Sequence, residues 1–168
     1  MLTRTPIDQN DDRELVISRT FDAPRDLVFA AWTNPHHARE WWGPVNYPAR
    51  YVEMDVRPGG AWRMCLRSTE GKPELWQGGT FREVVRPERL VFTFAWEEEG
   101  ERGIETLVTV TFAEEGGRTR MIFRQVPFQS AEERDGHRWG WNSTFDRLVG
   151  MLKEAAAVQG DRSRGEQS

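Results

Sequence analysis

Cysteine is almost absent from this chain. Cys65 stands alone, so no internal disulfide can form, and a reducing cytoplasm is the expected compartment. Long apolar runs are missing too, and none approaches the roughly 20 residues of a membrane-spanning helix. Residues 1–12 lack a basic segment followed by an apolar one, so no secretory signal is expected there. Neither sign of charge dominates: 23 Lys and Arg face 27 Asp and Glu, for a net charge of -4. With no basic stripe, neither nucleic acid nor an anionic bilayer is an expected partner. Histidine is scarce, and His36 and His37 are adjacent, so their side chains diverge on a helix. No HExxH or paired CxxC occurs, and no metal or cofactor is expected. No glycine-rich phosphate loop and no GxSxG elbow is present, so no catalytic residue is assigned.

What is abundant is tryptophan, with eight residues. Some of these rings are needed for the core. Others are free to line a pocket for an apolar or aromatic molecule. At 168 residues the chain is long enough for one domain with a sizeable core. Residues 13–158 carry the patterning and are read as that domain. Residues 1–12 and 159–168 are read as polar tails.

Period-two alternation marks a first strand over Glu14 to Phe21, with Leu15, Ile17 and Arg19 on one face. Pro24 and Pro35 stand where helices begin, and two short amphipathic pieces follow them: Leu27, Val28, Ala31 and Trp32, then Ala38, Trp41 and Trp42. Arg57-Pro58-Gly59-Gly60 makes a tight turn between two strands. In the second strand Trp62, Met64 and Leu66 share one face, and Arg63, Cys65 and Arg67 the other. Cations beside a thiol lower its pKa, but with no Cys–His arrangement in view Cys65 is read as a bystander. Leu75–Val85 reads as a strand with a bulge or bend at Gly78-Gly79. Leu90, Phe92, Phe94 and Trp96 share a strand face, and Glu97 to Glu101 forms a solvated hairpin tip. Two further strands, Leu107–Phe112 and Thr119–Val126, pair across Glu115-Gly116-Gly117-Arg118, with Met121, Phe123 and Gln125 facing inward. Ser130-Ala-Glu-Glu133 is a capping box. It opens a helix to about Val158, with Trp141, Phe145, Leu148, Leu152 and Ala155 as its apolar stripe and Gly160 as its stop. The expected class is therefore α+β: about six to seven antiparallel strands, two short helices after the first, and one long helix across the sheet.

This order resembles the START-like, or SRPBCC, superfamily with its helix-grip fold. More closely it resembles bacterial homologues of the C-terminal domain of the heat-shock-protein-90 ATPase activator. The resemblance is carried by Arg19-Thr-Phe-Asp-Ala-Pro24 leading to Val28-Phe29-Ala30-Ala31-Trp32-Thr33. Asp55-Val-Arg-Pro-Gly-Gly60, Pro87-Glu-Arg-Leu-Val91, Val108-Thr-Val-Thr-Phe112 and Asp135-Gly-His-Arg-Trp-Gly-Trp141 extend it. It implies a cavity between sheet and last helix that takes hydrophobic or amphipathic small molecules. The eukaryotic activator docks on its chaperone through a further N-terminal domain. Residues 1–12 are too few for one, so a chaperone partner is not supported by the sequence.

The expected function is binding of a small hydrophobic or aromatic molecule as carrier or sensor, in a stress-related role. Expected lining residues are Phe29, Trp32, Trp41, Trp42, Trp62, Trp76, Phe94, Trp96, Phe123, Trp139 and Trp141, with Gln125 and His137 as polar members. Of these, Trp62, Phe94 and Trp141 have an equal claim to the core. The rings would supply desolvation at about 25 cal/mol per Å² buried, and indole N–H groups and Gln125 the orientation. Two alternatives stay open: a co-chaperone-like interaction module, and a cyclase- or hydrolase-type enzyme in the same cavity. For the enzyme, Arg63, Glu53, Gln125 and His137 are the polar candidates, although alternation turns Arg63 and Glu53 outward. A homodimer formed through an edge strand or the Trp41-Trp42 region also stays open.

Overall fold

In the computed structural model, residues 12–98 and 101–167 are described. Residues 1–11 of the expected N-terminal tail and the 99–100 tip of the acidic hairpin lie outside them. The first strand, β1 (Leu15–Phe21), leads through Pro24 into α1 (Arg25–Thr33). Asn34 ends α1 and caps α2 (Pro35–Trp41), its side-chain oxygen accepting from the His36 amide at 2.9 Å, with Pro35 at the first helical position. Then come β2 (Ala49–Met54), β3 (Ala61–Leu66), β4 (Leu75–Val85), β5 (Arg89–Glu98), the two-residue β6 (Glu101–Arg102), β7 (Thr106–Glu115) and β8 (Arg118–Val126). The chain closes with α3 (Ala131–Gln167).

All strand pairs are antiparallel, in the order β1-β8-β7-β5-β4-β3-β2, with β6 on β5. The α+β helix-grip architecture is thus present. Strands β1 and β2 are consecutive in sequence yet form opposite edges, so α1 and α2 must carry the chain across the sheet. Their apolar residues, together with those of α3, bury its inner face. Phe145 of α3 lies at the centre, with ring centroids 6.1 Å from Trp32, 5.4 Å from Phe123 and 5.6 Å from Trp141. Half-buried Arg19 docks α3 on β1, donating to the Asn142 carbonyl and side chain at 3.1 Å and pairing with Asp146 at 2.9 Å.

Two sequence expectations are adjusted. First, the β3–β4 ladder runs in register through Gly78 and Gly79, whereas the β4–β5 ladder skips Gly79 and Thr80, the Thr80 amide donating to Thr93 Oγ1 at 2.8 Å, and shifts register between Phe81 and Glu83. The glycines also answer to close strand approach: a Cβ on Gly79 would lie 1.8 Å from the Thr93 carbonyl oxygen. Second, α3 starts as expected, with Ser130 Oγ accepting from the Glu133 amide at 3.1 Å, but it continues to Gln167 past Gly160. An interior glycine costs a helix only about 1 kcal/mol against alanine, which does not suffice to end it. Cys65 is fully buried, and burial pushes its thiol pKa up, outweighing the opposing effect of Arg50. Among the described residues no helix is long and apolar enough to cross a membrane, and no three His, Cys, Asp or Glu side chains gather as a metal site.

Candidate functional site

At one end of the sheet, α3 diverges from the strands and leaves a cleft of about 190 Å³. One wall is the inner face of β3, β4 and β5, through Leu66, Leu75, Gln77, Phe94 and Trp96. The opposite wall is the start of α3, through Gly136, His137, Trp139, Gly140, Trp141 and Thr144. The loop after α2 closes it, through Trp42, Gly43, Pro44 and Tyr47.

The loop is clasped to α3. Arg147 donates to the carbonyls of Glu40, Trp42 and Gly43 at 2.9, 3.0 and 2.8 Å, and Ser143 Oγ accepts from the Val45 amide at 2.9 Å. Burial draws the Arg147 pKa below the ordinary arginine value. The three carbonyls, at the C-terminal end of α2, take three of its five N–H donors. Gly43 turns the loop with φ +92°, and a Cβ there would strike the Tyr47 carbonyl at 2.2 Å.

Each indole N–H of the three buried or half-buried tryptophans in the cleft is spent inside the protein. Trp42 Nε1 donates to Gln77 Oε1 at 2.8 Å, Trp141 Nε1 to Gln125 Oε1 at 2.9 Å, and Trp96 Nε1 to His137 Nε2 at 3.2 Å. Trp42 and Trp141 meet edge to face, 5.4 Å between centroids. These bonds fix the rings as rigid walls. Burial holds the His137 imidazole below the ordinary histidine pKa, against a weaker opposite pull from Glu133. The neutral ring accepting at Nε2 carries its proton on Nδ1.

Of the thirteen residues expected at the site, six come together here: Trp42, Phe94, Trp96, His137, Trp139 and Trp141. The other seven sit elsewhere. Phe29 packs on Phe112 at 5.7 Å, and Trp32 and Trp41 meet each other at 4.9 Å in the core under α1 and α2. Trp62 donates to the Thr93 carbonyl at 2.9 Å. It borders an apolar void of about 10 Å³, room for about one water molecule. Phe123 lies beneath Trp141, 4.5 Å between centroids. Gln125 is fully buried and bridges Trp141 to Thr106 Oγ1, the latter at 2.9 Å. The orienting role expected for Gln125 is therefore used up inside the protein.

Trp76 lies on the outer face, because alternation along β4 turns Gln77 inward and its neighbour outward. There Arg63 stacks over the Trp76 ring at 4.0 Å and pairs with Glu97 at 2.9 Å. Beside them Arg50 and Arg67 hold the Glu74 carboxyl down at about 2. The sequence reading missed Gln77 and the small residues Gly43, Gly136 and Gly140. The glycine pair at i and i+4 around His137 was the available signal: it clears one face of α3, and a Cβ at either position meets nothing within 4 Å.

No curated protein matches the chain. Among solved structures, a Nitrosomonas europaea protein aligns with a TM-score of 0.74 at 22% identity, over 88% of this chain and 99% of its own. A Chromobacterium violaceum protein aligns with a TM-score of 0.77 at 22% identity, over 83% and 96%. These two likenesses show the fold. The AHSA1 protein of Silicibacter pomeroyi aligns with a TM-score of 0.76 at 25% identity, over 84% and 99%. The sequence model of the Activator of Hsp90 ATPase homolog 1-like protein family matches residues 22–153, and the chain belongs to that family.

Proposed function

We propose that this protein binds a small apolar or aromatic molecule in the cleft between β3–β5 and the start of α3, as a carrier or sensor in the cytoplasm. One observation carries the proposal: a cleft of about 190 Å³ whose aromatic walls are locked by internal hydrogen bonds. Rigid apolar walls need no reordering when a guest enters, so more of the desolvation gain is kept as affinity. The lining supports binding over turnover. Among the described residues that form it there is no carboxylate, lysine or cysteine, and its one histidine already accepts from Trp96. The test is native mass spectrometry of freshly purified protein, followed by organic extraction. A co-purifying small molecule of defined mass is the expected result. A clean apo mass, with no fluorescence change against a panel of one- and two-ring aromatics, would count against the proposal.

A second reading, protein interaction of a co-chaperone kind, draws on the exposed apolar rim of the cleft. Val45 is 67%, Trp139 58% and Leu75 36% exposed. This reading predicts association with a chaperone in sedimentation experiments that Trp139→Ser abolishes.

A further inference from the structure

The cleft's polar groups are sorted by what they have left to give. The indole N–H groups of Trp42, Trp96 and Trp141 are spent. The Thr144 hydroxyl donates to the Gly140 carbonyl at 2.8 Å. Gln77 is different. An indole N–H can only donate, so the Gln77 atom 2.8 Å from Trp42 Nε1 must be its oxygen, and this fixes which end of the amide is NH₂. That NH₂ has no acceptor among the described residues, although Gln77 is only 2% exposed and lines the cleft. Gln77 stands on the inner face of β4 with Met64 on one side and Trp96 on the other, at the apolar heart of the site. The remaining side-chain donors are His137 Nδ1 and the exposed Trp139 indole N–H, both on the α3 side.

From this, and resting on the cleft being a binding site, we infer that its natural guest is an uncharged, flat molecule of one or two rings bearing a hydrogen-bond acceptor such as a carbonyl, and that Gln77 is the residue selecting it. Size sets the ring count. A cavity of about 150 Å³ takes benzene, whereas drug-sized guests need about 300–1,000 Å³. Charge sets the neutrality. None of the lining residues is a cation or an acid, and Arg147 is committed to three backbone carbonyls. A carboxylate entering the cleft would lose its water without gaining a counter-ion. Donor surplus sets the acceptor. A hydrocarbon filling the cleft would strip water from the Gln77 NH₂ and return nothing, whereas a carbonyl of the same shape satisfies it.

The test compares indane with 1-indanone, which differ by one carbonyl, by NMR titration of the whole protein. Wild type is expected to bind 1-indanone about tenfold more tightly, the equivalent of one hydrogen bond to a buried donor. The Gln77 side-chain amide protons should move downfield with 1-indanone and not with indane. In Gln77→Met the preference should shrink to within about twofold. Equal affinity of wild type for both probes, with an unmoved Gln77 amide, overturns the role of Gln77 and leaves the cleft as a binding site. Tighter binding of indane-1-carboxylate than of 1-indanone overturns the neutrality. Failure of every probe to shift any cleft resonance at millimolar concentration removes the binding site itself. The amide resonance is read in wild type, so the test survives poor folding of the variant.

Discussion

Replacing Gln125 by leucine removes the acceptor of the Trp141 indole and the donor to Thr106 in one step. The amide is fully buried, 2.9 Å from each partner. Leucine has nearly the same bulk but accepts nothing, so the Trp141 N–H is left unpaired in a buried site, at a cost of about 1–3 kcal/mol. The lost bond to Thr106 adds about 1 kcal/mol. Thr106 keeps its own bond to the Phe94 carbonyl at 3.1 Å, so no second orphan is made. The expected loss is about 2–4 kcal/mol, or about 4–16 °C in Tm for a domain of this size. Urea unfolding followed by tryptophan fluorescence reads it. The double variant Gln125→Leu/Trp141→Phe should cost at least ~1 kcal/mol less than its two singles together, because the indole donor is no longer there to be orphaned. A single-variant loss under ~0.5 kcal/mol, or strict additivity in the double, would refute the reasoning that these bonds lock the wall of the cleft.

Four further outcomes are expected. Because burial lowers the His137 pKa, the unfolded chain takes up a proton at higher pH than the folded chain. The corresponding stability is fully present above about pH 6.5 and is lost as the pH falls below it towards the folded-state value. Urea midpoints at pH 7.5 and 5.5 should therefore diverge more in wild type than in His137→Gln. The Cys65 thiol, buried and with a raised pKa, should react with a disulfide reagent only as fast as the chain unfolds; rapid labelling of native protein would contradict its placement. Gly79→Ala should destabilise by about 1–3 kcal/mol through collision with the Thr93 carbonyl. Gly140→Ala, in a helix with open space around the new Cβ, should stabilise by about 0.5–1 kcal/mol.

The fold was legible because its signals are periodic and local. Leu90, Phe92 and Phe94 alternate inward, Ser130 and Glu133 announce a helix start, and Trp141, Phe145, Leu148 and Leu152 draw one stripe. The site was legible only in part. Alternation says that Trp76 and Gln77 face opposite ways. Which of them faces in depends on register against Met64 and Trp96, a contact between strands. Preference for aromatics in a pocket favours Trp76 as the inward residue, but the register places Gln77 there. Likewise nothing local distinguishes Trp41, which donates to the Ala31 carbonyl at 2.9 Å within the core, from its neighbour Trp42, which turns to Gln77 and the cleft. The Arg147 clasp was invisible because it joins carbonyls more than a hundred residues away, and backbone carbonyls leave no mark on a sequence.

The most direct measurement uses the eight tryptophans as reporters. In ¹⁵N-labelled protein, the indole N–H resonances are followed while a small aromatic such as 1-indanone is added. Binding in the cleft predicts saturable shifts at Trp42, Trp96, Trp139 and Trp141, with Trp76 on the outer face unmoved. Shifts confined to Trp76, or none at any indole, would contradict the account.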